Sequence, residues 1–421
     1  MKPKILTTLR GYTLAGFSAD FLAGVTVAMV ALPLSLAIAI ASGAGPEKGL
    51  VTAIVAGFLI SGLGGSRVQI GGPTGAFIVV VAGVIAEHGY DGLVLATFMA
   101  GLILIVAGYF KVGALIEHVP EAVVNGFTIG IAVIIGASQL KDFLGLQMAE
   151  VPADFLPKLA ALWAARAGLS PASLGVGLGT MVLIVALRRA APRFPGLIVA
   201  VAAGSALAAL LTLPVDTIAG RFGALPDHLP RPALPDLSPA RLIELLPSAL
   251  IIAFLAGVES LLSALVADRM IDGSHRPNAE ILAQGWANLG SSVFGGMPAT
   301  GAIARTATNV RAGGRTPVAG IVHAATILAA MMLAAPLAGY LAMPALAALL
   351  MLTAWNMSEP QNWRGYLTTG RISDRVLLVL TLVLTVLTDL TVAIGVGVAV
   401  GLALRLRRRE VPRAKWHTPR R

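Results

Sequence analysis

Gly295 to Gly314 reads GGMPATGAIARTATNVRAGG, and its interpretation decides the fold. Arg305 stands in it among Ala302, Ile303, Ala304 and Ala307, between two stretches apolar enough to lie in a membrane. A guanidinium does not escape its charge by losing a proton, so its presence at bilayer depth demands a specific partner or role. The opening Gly-Gly-Met-Pro is a poor start for a full-length span. It predicts a half-helix beginning near Thr300, with free N–H groups turned into the protein. An earlier stretch, Gly71 to Phe77 (GGPTGAF), has the same grammar of paired glycines, a proline, then Thr-Gly-Ala. Thr74-Gly75-Ala76 and Thr300-Gly301-Ala302 read as two copies of one device. Together they predict a membrane transporter that holds an anion between two half-helix ends.

The composition sets the class. Of 421 residues, 57% are hydrophobic and 12% charged, about half the charged fraction of a soluble domain, and mean hydropathy is +0.84. The chain reads as an all-α polytopic membrane protein. The absence of cysteine excludes thiol catalysis, disulfides and thiolate metal sites. No two of the six histidines stand four apart, which argues against a zinc helix, and no metal or cofactor is expected. About fourteen hydrophobic segments are legible, near 22–40, 50–63, 74–87, 93–110, 116–137, 172–188, 195–212, 245–267, 281–295, 300–310, 317–338, 343–356, 374–388 and 390–406. Several fall short of the ~20 residues of a span, so some are half-helices. With the N-terminus inside, Arg67, Lys111, Arg188, Arg269, Arg311 and Arg375 all fall in cytoplasmic loops, and the short outer loops hold only Lys48. The net charge of +10 is therefore a matter of orientation, with both ends cytoplasmic in a plasma membrane of the bacterial inner-membrane kind, and not of nucleic-acid binding.

Along the chain, residues 1–19 read as a surface segment on the inner face, and Pro33 predicts a kink in the first span. Ser66 to Ile70 and Val293 to Pro298 read as short extended strands feeding the two half-helices. At membrane depth they would pair with each other, because lipid cannot satisfy their backbone groups. Thr74 precedes Pro120 by 46 residues and Thr300 precedes Pro344 by 44. The expected organisation is a first repeat over 1–212, an inter-repeat Pro-rich loop over 213–244, a second repeat over 245–408 and a cytoplasmic tail over 409–421. Seven segments in each half force the second repeat to be inverted, and broken helices in corresponding positions point to a central site.

Two converging half-helix ends, each with about half a unit of positive charge, plus Arg305 would make an anion-selective pocket. Glu259 is the one acid well inside an apolar span. Alone it would hold its proton, and beside Arg305 it would release it, the balance a proton-coupled carrier requires. The alternative is a structural Glu259–Arg305 pair. Ser263, one turn on, could share a proton or sodium site with Glu259. Asp268, Arg269, Asp272 and Arg276 read as a solvated inner loop, and Asp389 as a helix-break or cap residue.

Ala31-Leu32-Pro33, Gly72-Pro73-Thr74, Ala256 to Asp268 (AGVESLLSALVAD), Gln284 to Asn288 (QGWAN) and Arg305 to Asn309 (RTATN) followed by Gly313 to Pro317 resemble the sulfate-permease (SulP, solute carrier 26) anion transporters. The likeness runs over nearly the whole chain. It implies fourteen segments in a seven-plus-seven inverted repeat, with segments 1–4 and 8–11 as core and 5–7 and 12–14 as gate. It places the anion between the third and tenth segments, with help from the first and eighth: Leu34 and Ile38, Thr74, Gly75 and Ala76, Glu259 and Ser263, and Gly301, Ala302, Ile303, Ala304 and Arg305. Leu34 departs from the family's frequent glutamine. The usual C-terminal regulatory (STAS) domain is not expected in a chain that stops about fifteen residues after its last span. The resemblance further implies a dicarboxylate such as fumarate, sulfate or bicarbonate as substrate, and a homodimer in the lipid. Proton-coupled symport is favoured over sodium coupling or exchange. An anion channel would show no dependence on a coupling ion. A nucleobase permease shares the architecture but gives no reason for Arg305. No nucleophile–base pair or metal cluster suggests an enzyme.

Overall fold

The computed structural model describes residues 2–113, 121–148, 151–152, 154–191, 195–358, 360, 365, 371–388 and 390–407. Pro120, Asp389 and the 409–421 tail, which figured in the sequence reading, lie outside these residues. The described chain is mainly helical, and its longer helices are α1 (Leu14–Ala41), α2 (Pro46–Leu63), α3 (Ile78–Tyr109), α4 (Glu121–Leu144), α5 (Phe155–Ala164), α6 (Pro171–Ala190), α7 (Gly196–Leu210), α8 (Pro239–Ile271), α9 (Pro277–Val293), α10 (Ile303–Arg311), α11 (Val318–Ala338), α12 (Met343–Met357), α13 (Ile372–Leu387) and α14 (Leu390–Arg407). Among the described residues, seven helices are long and apolar enough to cross a membrane. The third and fourth predicted segments are one element, α3, interrupted at Gly89, whose φ of 70° and ψ of 178° break the helical path. Pro33 is accommodated inside α1, which continues to Ala41. The helices pack in two groups: α1, α2, α3, α8, α9, α10 and α11 around one another, and α4, α6, α7, α12, α13 and α14 around one another.

Two extended pieces pair as expected, but the paired residues lie just after the expected ranges of 66–70 and 293–298, and Val293 still belongs to α9. β1 (Gly71–Gly72) runs antiparallel to β2 (Thr300–Gly301), with Gly71 opposite Gly301 and Gly72 opposite Thr300. A two-residue ladder leaves most of the interrupted backbone unpaired, and side chains from other elements complete it. Before β1, the Gly65 and Ser66 N–H groups donate to Glu280 Oε2 at 2.8 and 3.1 Å, Asn309 Nδ2 donates to Val68 C=O at 2.8 Å, and Ile70 N–H donates to Thr306 Oγ1 at 3.0 Å. Before β2, Met297 N–H donates to Thr52 Oγ1 at 2.7 Å, and Asn288 both accepts from Ala299 N–H and donates to Ala299 C=O at 2.9 Å. Glu280, Asn309 and Thr306 come from the second half of the chain and clasp the first, while Thr52 does the reverse.

α10 starts at Ile303 rather than at the expected Thr300. Thr300 and Gly301 are held in the strand, and Ala302 N–H donates to Ile70 C=O at 2.8 Å, so the chain turns helical only afterwards. The loop expected to be solvated is also more ordered than its composition suggests. Asp268 Oδ2 accepts from the His275 N–H at 2.7 Å and stands 2.7 Å from His275 Nδ1, and Arg276 Nη1 donates to Lys2 C=O at 2.8 Å.

Gly72 has a φ of 149°, and a Cβ on it would overlap Arg305 Nη1. Gly72→Ala is expected to cost about 1–3 kcal/mol of stability through overpacking, seen as a lower unfolding temperature of the detergent-solubilised protein. Gly62→Ala, where a Cβ meets nothing within 4 Å, serves as the neutral control.

Candidate anion site between two half-helices

Both half-helices begin just past the strand pair. On the first, Phe77 N–H donates back to Thr74 C=O at 3.2 Å in a 3-10 turn over Gly75–Phe77, leaving the Gly75 and Ala76 N–H groups free of backbone partners. On the second, the first helical bond runs from Thr306 N–H to Ala302 C=O at 2.9 Å, leaving those of Ile303, Ala304 and Arg305 without a partner among the described residues. Antiparallel pairing sends the helices away in opposite directions, so these unsatisfied donors converge on the pair from its two sides. Free N–H groups and the positive end of a helix dipole favour an anion.

Thr74 Oγ1 donates to Glu259 Oε2 at 2.9 Å, tying the first half-helix to α8. The structural Glu259–Arg305 pair that stood as the alternative is not formed: no ion pair joins them among the described residues, and Glu259 is half-buried while Arg305 is 1% exposed. Instead, Arg305 Nη2 donates to Ser35 Oγ at 3.1 Å and to Pro73 C=O at 3.0 Å. The guanidinium therefore braces the foot of the first half-helix from behind. Its positive charge reaches the anion site through the field of a dry interior.

Ser263, expected beside Glu259, is fully buried and stands 3.1 Å from Thr306 Oγ1, on the face of α8 turned to α10. Gly301 and Ala302 are buried, Ile303 is half-buried, and Ala304 is exposed. From Ala304 the open face of α10 continues through Thr308 to Arg311, and that of α8 runs from Glu259 through Leu262 and Val266 to Arg269. The i, i+4, i+7 and i, i+3, i+7, i+10 spacings keep each set on one side of its helix. Thr74 and Ala76 are each 7% exposed, Leu34 8% and Ile38 1%, so Ile38 is enclosed here. Gly75 faces the other helix group, since a Cβ on it would stand 3.4 Å from Met357 Sδ and 3.6 Å from Ile135 Cδ1.

Two residues that the sequence reading did not select are central. Ser260 Oγ accepts from Gly301 N–H at 2.9 Å and lies 2.6 Å from Thr300 Oγ1, fixing β2 on α8. Ser35 receives Arg305. Ser35 follows the mid-span proline, and Ser260 adjoins Glu259. That adjacency was the available signal, but an isolated serine in a span is ordinarily bonded to its own helix.

The natural chain has no cysteine, so single cysteines report access directly. Ala304→Cys is expected to react with a charged, membrane-impermeant thiol reagent and to be protected by the bound anion, while Ile38→Cys stays unlabelled. Labelling rates read by mass shift decide it. Arg305→Lys is expected to lower transport at least tenfold, because an ammonium on a flexible stem does not reproduce the planar guanidinium that reaches Ser35 and Pro73 together.

Comparisons with known proteins show the family and the fold. Residues 17–381 match the model of the sulfate permease family. YvdB of Bacillus subtilis is 41% identical over 383 residues, covering 90% of this chain and 72% of its own. The bicarbonate transporter BicA of Picosynechococcus sp. is 32% identical over 383 residues, 88% of this chain and 67% of its own. The solved transmembrane domain of a cyanobacterial BicA superposes with a TM-score of 0.81 at 28% identity, covering 93% of this chain and 98% of that one.

Proposed function

Because the chain belongs to the sulfate permease family, we propose that it is a secondary active transporter of a small anion, driven by proton symport through alternating access. The substrate class is a doubly or singly charged oxyanion: bicarbonate, sulfate or a dicarboxylate such as fumarate. The bicarbonate named for a relative 32% identical supports the first of these. A site of backbone N–H groups reads charge and size, which suits this range.

The observation that carries the coupling is the Thr74–Glu259 bond at 2.9 Å. It ties half-buried Glu259 to the first half-helix, and no ion pair to an arginine is formed there among the described residues. A proton on Glu259 would remove its negative charge from the edge of the anion site, so proton and anion binding would favour each other. Thr74 then reports the state of Glu259 to the Gly75 and Ala76 donors.

The packing of the helices in two groups supports a division into core and gate. The α1–α3 and α8–α11 group would act as a core carrying both half-helices, and the α4, α6, α7 and α12–α14 group as a gate, the two halves of the chain forming an inverted repeat. Ile135 and Met357 of the gate group lie against Gly75, and they would part as the site opens to the other side. Both termini would be cytoplasmic in a bacterial inner membrane, and the protein would be a homodimer.

Uptake of labelled bicarbonate, sulfate and fumarate into proteoliposomes tests the reading under an inward proton gradient, a sodium gradient or neither. Proton-driven accumulation of one anion is expected, and Glu259→Gln should abolish it while exchange of preloaded anion persists. Accumulation by Glu259→Gln equal to wild type would remove Glu259 from the coupling, and sodium dependence would recast it as part of a cation site.

A further inference from the structure

The open face of α8 stops at Glu259. Toward Arg269, Leu262 and Val266 are half-buried and Arg269 is exposed. In the other direction the same face closes at once: Leu255, one turn before Glu259, is 5% exposed, and Ile252, two turns before it, is 0% exposed. On the first half-helix Phe77 is buried, and Gly75 meets Met357 and Ile135 of the other helix group. One side chain of α8 reaches across to that group where the face closes. Phe254, next to Leu255 and about 7.5 Å along the helix from Glu259, packs against the main core. It also packs against a separate apolar cluster made by Ala122 and Val123 of α4 with Leu377 and Leu378 of α13. Among the described residues it is the one side chain of the α1–α3 and α8–α11 group packed against that cluster. Half-buried and touching both groups, Phe254 stands at the boundary between them.

We propose that Phe254 is the seal that closes the anion path beyond Glu259, so that an anion crosses only when core and gate move. The inference rests on the reading of two helix groups that shift against each other around one site. A site built of unpaired N–H groups and the field of a buried arginine draws anions from either side, so selectivity alone cannot prevent a leak. What stops one is a stretch that a hydrated ion cannot wet, and apolar side chains meeting in a constriction close a path in this way. The groups that meet at Phe254 are of this kind. An aromatic ring suits the position for a second reason. Its contact with Ala122, Val123, Leu377 and Leu378 involves no directional bond, so it can part and re-form at another height without leaving a polar group unpaired. A hydrogen-bonded or ionic latch at the same place would have to break on every cycle. Phe254 is neither a ligand of the anion nor part of the proton linkage: it decides whether the path beyond the site stays shut.

The test is chloride efflux from proteoliposomes loaded with potassium chloride, with and without valinomycin, for the wild type, Phe254→Ala and Phe254→Leu. Efflux that appears only with the potassium ionophore is uncoupled anion leak, and it is read without knowing the substrate or the coupling ion. Phe254→Ala is expected to raise that leak about tenfold, and Phe254→Leu, which keeps a large apolar side chain, to hold it near the wild-type level. A residue that served packing alone would lower flux of every kind when truncated, so the sign of the change separates the two roles. Leak through Phe254→Ala no faster than through the wild type would overturn the proposal. So would a wild type that already leaks as fast as Phe254→Ala. Should Phe254→Ala fail to fold, Phe254→Val carries the same comparison, with a smaller rise expected. Absence of proton-driven uptake in the wild type would remove the coupling reading and leave this readout intact, so the two fail separately.

Discussion

The structure depends on satisfying a backbone interrupted at membrane depth. Gly64 to Thr74 and Phe294 to Ala302 are not helical, and hydrocarbon offers their N–H and C=O groups nothing. The two segments complete each other through the Gly71–Gly301 and Gly72–Thr300 pairs, and Glu280, Asn309, Thr306, Thr52, Asn288 and Ser260 bond further groups. Each net hydrogen bond contributes about 1 kcal/mol, but a buried group left unpaired costs about 1–3. Loss of any one clasp therefore weakens the positioning of both half-helices. The N–H groups proposed to face the anion are those this network leaves over, so the same network sets the geometry of the candidate site.

Charge at the site is divided between two faces. Glu259 lies on the accessible side and is held by a hydroxyl, while Arg305 lies on the enclosed side and is held by a hydroxyl and a carbonyl. Direct pairing would cancel both charges, leaving neither a titratable acid nor a net positive field for an anion. Separation by the Pro73-Thr74 corner keeps both. Asp20 supplies the matching restraint at the other end of α10: its Oδ1 accepts from the Arg315 and Thr316 N–H groups at 2.7 and 3.1 Å, and its Oδ2 from Tyr12 OH at 2.8 Å. The loop leaving the second half-helix is thus anchored to the first span, and both the beginning and the end of α10 are fixed by elements from the first half of the chain.

The membrane class, the segment positions and the two broken helices were legible in the sequence because each rests on local chemistry. Apolar length marks a span, Gly-Gly-x-Pro forbids a continuous helix, and a duplicated Thr-Gly-Ala marks two equivalent ends. Even the strand pairing followed from the need to satisfy backbone in lipid. What the sequence could not specify is which distant side chain meets which. Arg305 and Glu259 were natural partners by charge, yet they reach Ser35 and Thr74, 270 and 185 residues away along the chain. Ser260 and Glu280 were indistinguishable from ordinary helix residues until α8 and α9 were packed against the strands. The tertiary structure decided these pairings because helix rotation and the register of a two-residue ladder set the direction of each side chain. Those are properties of the packed bundle, not of any one segment.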